Sequence, residues 1–398
     1  MASLTTQIPL DILYDILKHF HISHLFTLRT HRYQTIDEDE LSALTDSVPR
    51  TFRATIVTHL RISFRSHDQC LPLVSLFPRL KRLFLHSRTR LDEPLPFPPP
   101  PPIPIDFLTL DRYHASMQLY DALLRFSSVN TLILRTINNC HDSRYGQSHL
   151  PVEIPEHICP KYLSIIPISE ELPPLLNAFS RTQTTATLQV LHCELITLEK
   201  TLPAIVRFIR SLQQLSTLKL QFSQAYSDRV AIEGRMSRSN QRRYVDKCCG
   251  VVTDHLAPAF ADIRTLHTVV IHPPNKPSSN PAWLPCFAIF DSLPPTLRRL
   301  HIHMKATDLT FQFSATLRRL TALEELLVVV TGLRRPVDTK EFVAWLAGLY
   351  RMVYPGGVVG AVKLKVRVPL SVLRDVVNAM SSYPDISSSK YDEILFGD

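Results

Sequence analysis

The chain has 398 residues, 45% of them hydrophobic and 20% charged, a balance that reads as folded protein with a large core or two domains and excludes a disordered tail-like chain. Forty-four Lys and Arg against 36 Asp and Glu give a formal charge of +8, a mild basic bias suited to acidic protein partners and, non-specifically, to nucleic acid. Nine glycines beside thirty-one prolines speak against a phosphate-cradling nucleotide fold and for connections punctuated by proline. No apolar run of about eighteen residues occurs and no cationic start precedes an apolar stretch, so neither a membrane partner nor secretion is expected. The seven cysteines (Cys70, Cys140, Cys159, Cys193, Cys248, Cys249 and Cys286) form no C-x-x-C pair and fit free thiols in cytoplasm or nucleus.

The first element is a helix over Ile8 to Phe20. Pro9 suits the first helical position, and Asp11 and Asp15 precede Lys18 and His19, the charge order a helix dipole favours. Ile12, Ile16 and Phe20 lie along one row and Leu13 and Leu17 along the next, an apolar stripe broad enough to need a cover. From the residues alone, that cover is either the body of the same chain or another polypeptide. The wording Ile-Pro-x-Asp-Ile-Leu-x-x-Ile-Leu-x-x-Phe resembles the first helix of the F-box, a module that plugs into ubiquitin-ligase scaffolds. Leu25, Phe26 and Leu28 continue the resemblance, and Val48-Pro-Arg-Thr-Phe-Arg53 matches its closing segment, with Pro49 in place of the usual Ser or Cys and Thr30 to Ser47 inserted between.

Aliphatic triplets at i, i+3 and i+5 follow from residue 57 onward: Val57/Leu60/Ile62, Leu80/Leu83/Leu85, Ile105/Leu108/Leu110, Val129/Leu132/Leu134, Leu163/Ile166/Ile168, Leu188/Leu191/Cys193, Leu215/Leu218/Leu220, Leu266/Val269/Ile271, Leu297/Leu300/Ile302, Leu323/Leu326/Val328 and Val359/Val362/Leu364. Their starts differ by 23, 25, 24, 34, 25, 27, 51, 31, 26 and 36, and the 51 reads as two units. Helical spacing appears between triplets at His114 to Phe126, Leu198 to Leu215, Trp283 to Leu293 and Glu341 to Met352. Strand, turn and helix at a steady period make a stacked array in which each unit needs its neighbours. The triplets resemble a divergent leucine-rich repeat, although none of the eleven carries the family's frequent Asn. An irregular α/β domain with evenly spread strands is the alternative. Degenerate repeats behind an F-box-like helix resemble the F-box families expanded in mushroom-forming fungi.

Between the second and third triplets, Pro94 to Pro104 holds eight prolines, five of them consecutive, and reads as extended polyproline II that joins neither helix nor inner sheet, a stiff inter-repeat loop or a ligand for an aromatic groove of a partner. Farther on, Asp228 to Lys247 places six basic residues against three acidic ones and reads as a solvated basic helix or a partner contact. No rings beyond Tyr244 within it and Tyr226 just before it give a stacking platform, so nucleic acid is not the favoured partner. His19 and His21 point apart at a helix end, with no Cys or second carboxylate cluster to join them and His24, and His301 and His303 share one strand face next to Arg298 and Arg299 that merely exposes them, so no metal is expected. Cys248 and Cys249 read as a small buried pair on a helix. No catalytic or cofactor motif occurs, so neither enzymatic activity nor a cofactor is expected.

The fold expected is therefore α/β: an F-box-like all-α module over 1–58, a leucine-rich-repeat-like solenoid with a parallel sheet over 59–380, and a polar tail over 381–398. The resemblance implies a substrate receptor of a cullin–RING ubiquitin ligase. It assigns contact with a Skp-type adaptor and its cullin scaffold to Ile8, Pro9, Ile12, Leu13, Ile16 and Leu17, with Val48 and Phe52 packing the module, and it gives the solenoid an unidentified protein target. A repeat scaffold without a ligase role, capped by the N-terminal helix, is the other expectation.

Overall fold

Aliphatic side chains on alternate positions fix which side of each strand is buried, and the strands follow one another in the order of the sequence. The computed structural model describes residues 35–36, 58–64, 79–87, 103–113, 117–137, 152–166, 172–196, 198–274, 280–305, 314–333, 336–354, 362–380 and 395–397. Thirteen strands form one sheet whose spatial order equals the chain order, and every pairing is parallel. They are β1 (Thr35–Ile36), β2 (His59–Phe64), β3 (Arg82–Ser87), β4 (Ile103–Asp111), β5 (Phe126–Arg135), β6 (Tyr162–Ile166) and β7 (Val190–Leu195). The rest are β8 (Thr217–Phe222), β9 (Thr268–His272), β10 (Arg299–Lys305), β11 (Glu325–Thr331), β12 (Lys363–Val368) and β13 (Leu395–Gly397). The expected α/β class and parallel sheet are present. The sheet also passes both limits set for the repeat region, because β1 lies within 1–58 and β13 within 381–398.

One register runs through the aliphatic positions. Leu60, Leu83, Leu108, Leu132, Leu163, Leu191, Leu218, Val269, Leu300, Leu326 and Leu364 stand side by side from β2 to β12, and all are buried. This ladder corrects two of the triplets. Leu132 and Leu134 face Leu163 and Ile165, so Leu163 is the middle residue of its unit and not the first. Leu326 and Val328 face Leu364 and Val366, so Val359/Val362/Leu364 is two residues out of step. In both places neighbouring aliphatic residues offered the same spacing, which periodicity alone does not resolve.

Helices occupy the connections: α1 (Met117–Leu124), α2 (Leu172–Phe179), α3 (Thr184–Thr187), α4 (Leu198–Ser211), α5 (Gln224–Met236), α6 (Arg238–Val251) and α7 (Ala257–Asp262). Then come α8 (Leu284–Ser292), α9 (Ser314–Arg319), α10 (Pro336–Val353) and α11 (Leu370–Met380). Their buried side chains join those of the strands in a single core that includes Phe179, Phe208, Tyr226, Phe260, Trp283, Phe290 and Phe342. The helices expected near 114, 198, 283 and 341 are α1, α4, α8 and α10, whereas α2 and α11 had no separate signal.

The 51-residue interval is not two units. β8 pairs directly with β9, and the surplus chain is helical: α5, α6, a π-helical turn over Val252–Leu256, and α7. The proline tract needs a correction at its end, because Ile103 and Pro104 belong to β4, where Pro104 sits at a register irregularity opposite Ser128. Pairing of β4 with β3 starts only at Phe107, so Pro104 interrupts no ladder on that side. Pro94 to Pro102 lie outside the described residues.

Backbone bonds repeat with the units. Lys81, Asp106, Lys161, Gln189, Ser216, His267, Arg298, Glu324 and Lys363 each donate an N–H to the carbonyl one unit back, at the entrance to the strands. The ladder crosses the helical insertion unbroken, His267 donating to Ser216 at 3.1 Å. At the strand exits of β4 and β5, Arg112 and Thr136 occupy equivalent places and both have positive φ, 62° and 53°.

Candidate functional site: the open face of the sheet

Burial alternates buried–partly exposed along β3, β7, β8, β10 and β12, so one face of the sheet is sealed by the core and the other is open. The open face takes the residues that stand between the aliphatic ones. Three rows of it, from β2 to β12, carry Arg61, Arg82, Arg135, Lys219, Arg299, Lys363, Lys365 and Arg367 against Asp111, Glu194 and Glu325, a local charge of 8 − 3 = +5. Most of the chain's basic excess is thus gathered on one ordered surface.

Near β2 to β4, cations lie on rings: the Arg61 guanidinium is 4.3 Å from the centre of Phe84, and Arg82 is 5.7 Å from Phe107. His86 Nδ1 meets Asp111 Oδ2 at 2.9 Å beside them. In the middle, Lys219 Nζ stands 5.1 Å from the centre of Tyr162, and Ser164 Oγ meets His192 Nδ1 at 2.9 Å. The His192 and His272 rings are stacked at 6.4 Å, and His272 and His303 at 3.8 Å with planes 15° apart. Toward β12, Glu325 receives Lys365 Nζ at 2.7 Å on one oxygen and contacts His301 Nε2 at 3.1 Å on the other.

Burial controls the charge of this row. It holds His192 down to about 4, with Lys219 adding repulsion against a smaller opposing pull from Gln221. His272 falls to about 3 through burial and then the neighbouring His303, His192 and Lys219. Both rings are neutral at pH 7, so His272 brings no charge to its 3.8 Å stack with His303. Burial likewise lowers Lys219 and raises Tyr162 and Glu194. For Glu325 burial pushes upward, but the bonds from Lys365 and His301 outweigh it and its carboxyl ends below the usual range. His301 is itself lowered, burial exceeding the pull of Glu325, so Lys365 is the true counter-ion and a neutral His301 N–H donates to the carboxylate.

The stacked imidazoles lie face to face instead of turning lone pairs toward one point, and among the described residues no group of three or more His, Cys, Asp or Glu could hold a metal. Cys159, Cys193, Cys248, Cys249 and Cys286 are free thiols, Cys248 fully buried and Cys249 partly so on α6. Among the described residues no helix is long and apolar enough to cross a membrane.

Ile8, Pro9, Ile12, Leu13, Ile16, Leu17, Val48 and Phe52 lie outside the described residues, as do His19, His21 and His24. His301 and His303 do share a strand face, but they are half-buried and engaged, not merely exposed. The rest of the open face was legible only in principle, as the positions between the second and third aliphatic residues of each triplet, apolar at Phe84, Ile133, Val270 and Leu327 and polar at the others, once the register was known. The chain matches no protein-family model and no curated relative.

Proposed function

We propose that this chain is the target-recognition subunit of a cullin–RING ubiquitin ligase of the F-box type, with its sheet region a degenerate leucine-rich-repeat-like solenoid. The N-terminal segment binds a Skp-type adaptor through Ile8, Pro9, Ile12, Leu13, Ile16 and Leu17, with Val48 and Phe52 packing the module. The solenoid holds a protein target on its open face, in cytoplasm or nucleus, and the chain performs no reaction of its own. The observation that carries this reading is the open face: eleven strands in one register, sealed by core on one side and lined on the other by cations, rings and polar groups interspersed with aliphatic side chains such as Ile133, Val270 and Leu327. Such a surface offers many contacts to a partner, and its net positive charge favours an acidic target. The apolar excess of the sequence over 8–20 supports the adaptor contact.

The adaptor contact is tested by co-purification. Truncating a hot-spot side chain typically costs about 2 kcal/mol, and burying an aspartate costs more, so Leu13→Asp with Ile16→Asp is expected to abolish adaptor binding and leave the circular-dichroism spectrum intact. Adaptor recovered at the unsubstituted level defeats the proposal.

One observation favours a second reading, a repeat scaffold whose N-terminal segment is a cap. Thr35 and Ile36 pair with Arg61 and Ile62, which ties part of that segment to the sheet edge. Deleting residues 1–56 discriminates: a soluble remainder is expected of the ligase receptor, an aggregating one of the capped scaffold.

A further inference from the structure

We infer that the helical hairpin α5–α6, inserted between β8 and β9, is a second docking surface that fits an acidic amphipathic polypeptide helix. The hairpin's base is fixed to the body. The Tyr226 hydroxyl, fully buried, donates to the Ala282 carbonyl at 3.2 Å, and Glu199 of α4 receives the Tyr244 hydroxyl at 3.4 Å and Arg229 at 3.7 Å. Its turn is fixed as well. Ser237 Oγ caps α6 by accepting the Asn240 N–H at 3.0 Å. Gly234 leaves room for the Gln241 side chain, whose Nε2 would stand 2.9 Å from a Cβ there and donates to the Val230 carbonyl at 3.3 Å.

What the tip presents is therefore held in place. Ile232 and Met236, one helical turn apart, are 54% and 71% exposed, two of the four large apolar side chains exposed among the described residues. Single exposed apolar residues are ordinary, but a pair at i and i+4 forms a stripe. Arg235 and Arg238 lie within two residues of Met236 along the chain and Arg243 follows on α6, all three exposed and without an ion pair among the described residues. Arg242 meets only Asp246, at 3.8 Å and in open solvent, a contact of little energy.

Charge and shape together choose the occupant. Guanidinium forks pair with carboxylates two bonds at a time, and the Ile232–Met236 stripe needs an aliphatic counterpart at the same spacing. An acidic helix with aliphatic side chains one turn apart supplies both. Nucleic acid would call for free rings, whereas Tyr244 is already covered by Arg229 at 5.6 Å. A lipid surface would need a broader apolar face than two side chains, and a second copy of the hairpin would set arginine against arginine.

The test uses the full chain and a fluorescent synthetic helix of about eighteen residues, with Leu at i, i+4 spacing and Glu on the flanks, read by anisotropy. The expected result is binding that weakens about tenfold or more in R235E/R238E/R243E and in I232S/M236S, with unchanged circular dichroism, and that weakens similarly when the peptide's Leu become Ser. Should the triple reversal fail to fold, M236S alone, at a solvent-exposed position, carries the test. The inference is overturned if the peptide does not bind, if the variants bind it as the parent does, if anionic vesicles or a short RNA bind more tightly, or if the stripe instead mediates self-association lost in M236S. Adaptor co-purification is expected to be the same in all these variants, so the outcome is independent of the ligase proposal.

Discussion

His272 stands between His303 and His192 with Lys219 nearby, and that crowding links the fold to pH. Its folded pKa, about 3, and that of His192, about 4, lie below the ordinary 6.5 of an unfolded chain. Over that window the unfolded state takes up protons that the folded state refuses, so the stability these rings contribute is complete above about pH 6.5 and is lost as pH falls toward 4 and 3. Urea denaturation at pH 7 and pH 5 is expected to show a loss of about 1 to 2 kcal/mol per ring, and His272→Gln should flatten the dependence. An equally steep dependence in the variant would refute this origin. None of this was visible in composition, because a histidine in a strand announces neither its face nor its neighbours. His301 and His303 were picked out only because they are two apart; His192 and His272 lie on other strands, and the registers that bring them together arise from pairing.

Strands and their exits make the next level. Thr136 is a β-branched residue at φ 53°, a region that costs an L-residue about 1–2 kcal/mol, partly offset in glycine by its looser unfolded state. Thr136→Gly is expected to stabilise the protein by up to about 1 kcal/mol, raising the thermal midpoint, whereas a lowered midpoint would mean the threonine makes a compensating contact. In the interior, Leu132 is completely buried at the centre of the register, and Leu132→Ala is expected to cost about 2–5 kcal/mol in chemical denaturation. Such strands were legible in the sequence because three aliphatic residues at i, i+3 and i+5 can all turn inward only as a strand with an entry turn. The two slipped triplets show where that logic fails: around Leu163 and Leu364 the chain has more aliphatic residues than one face can use. The helical insertion was legible in part: Asp228 to Lys247 reads as a solvated basic helix and is covered by α5 and α6, but the 51-residue interval around it reads as two units because length carries no direction.

At the scale of the molecule, one core runs from Leu60 to Val376 and each strand is covered by its successor. Removing residues 313–398 strips β11 to β13 and leaves the far edge of β10 unpaired beside Leu300, Ile302 and Met304. The shortened chain is expected to bind a hydrophobic dye and sediment as aggregate; a monodisperse product would mean the units are more self-sufficient than their packing implies. The basic bias belongs to this scale too. It looked diffuse as a sum over the chain, yet it is concentrated on the open face and on the hairpin tip, two places that no count of charges separates.

Because spatial order and chain order coincide in the sheet, a strand leaving the ribosome finds its partner already made. No segment has to wait for a distant piece still to be translated, so assembly can keep pace with elongation at about 5–20 residues per second. The same linearity leaves an unsatisfied leading edge throughout synthesis, and the pause at residues 224–262, where helices interpose before β9, is the longest interval that edge spends bare among the described connections. A chaperone that guards nascent chains would find its work there.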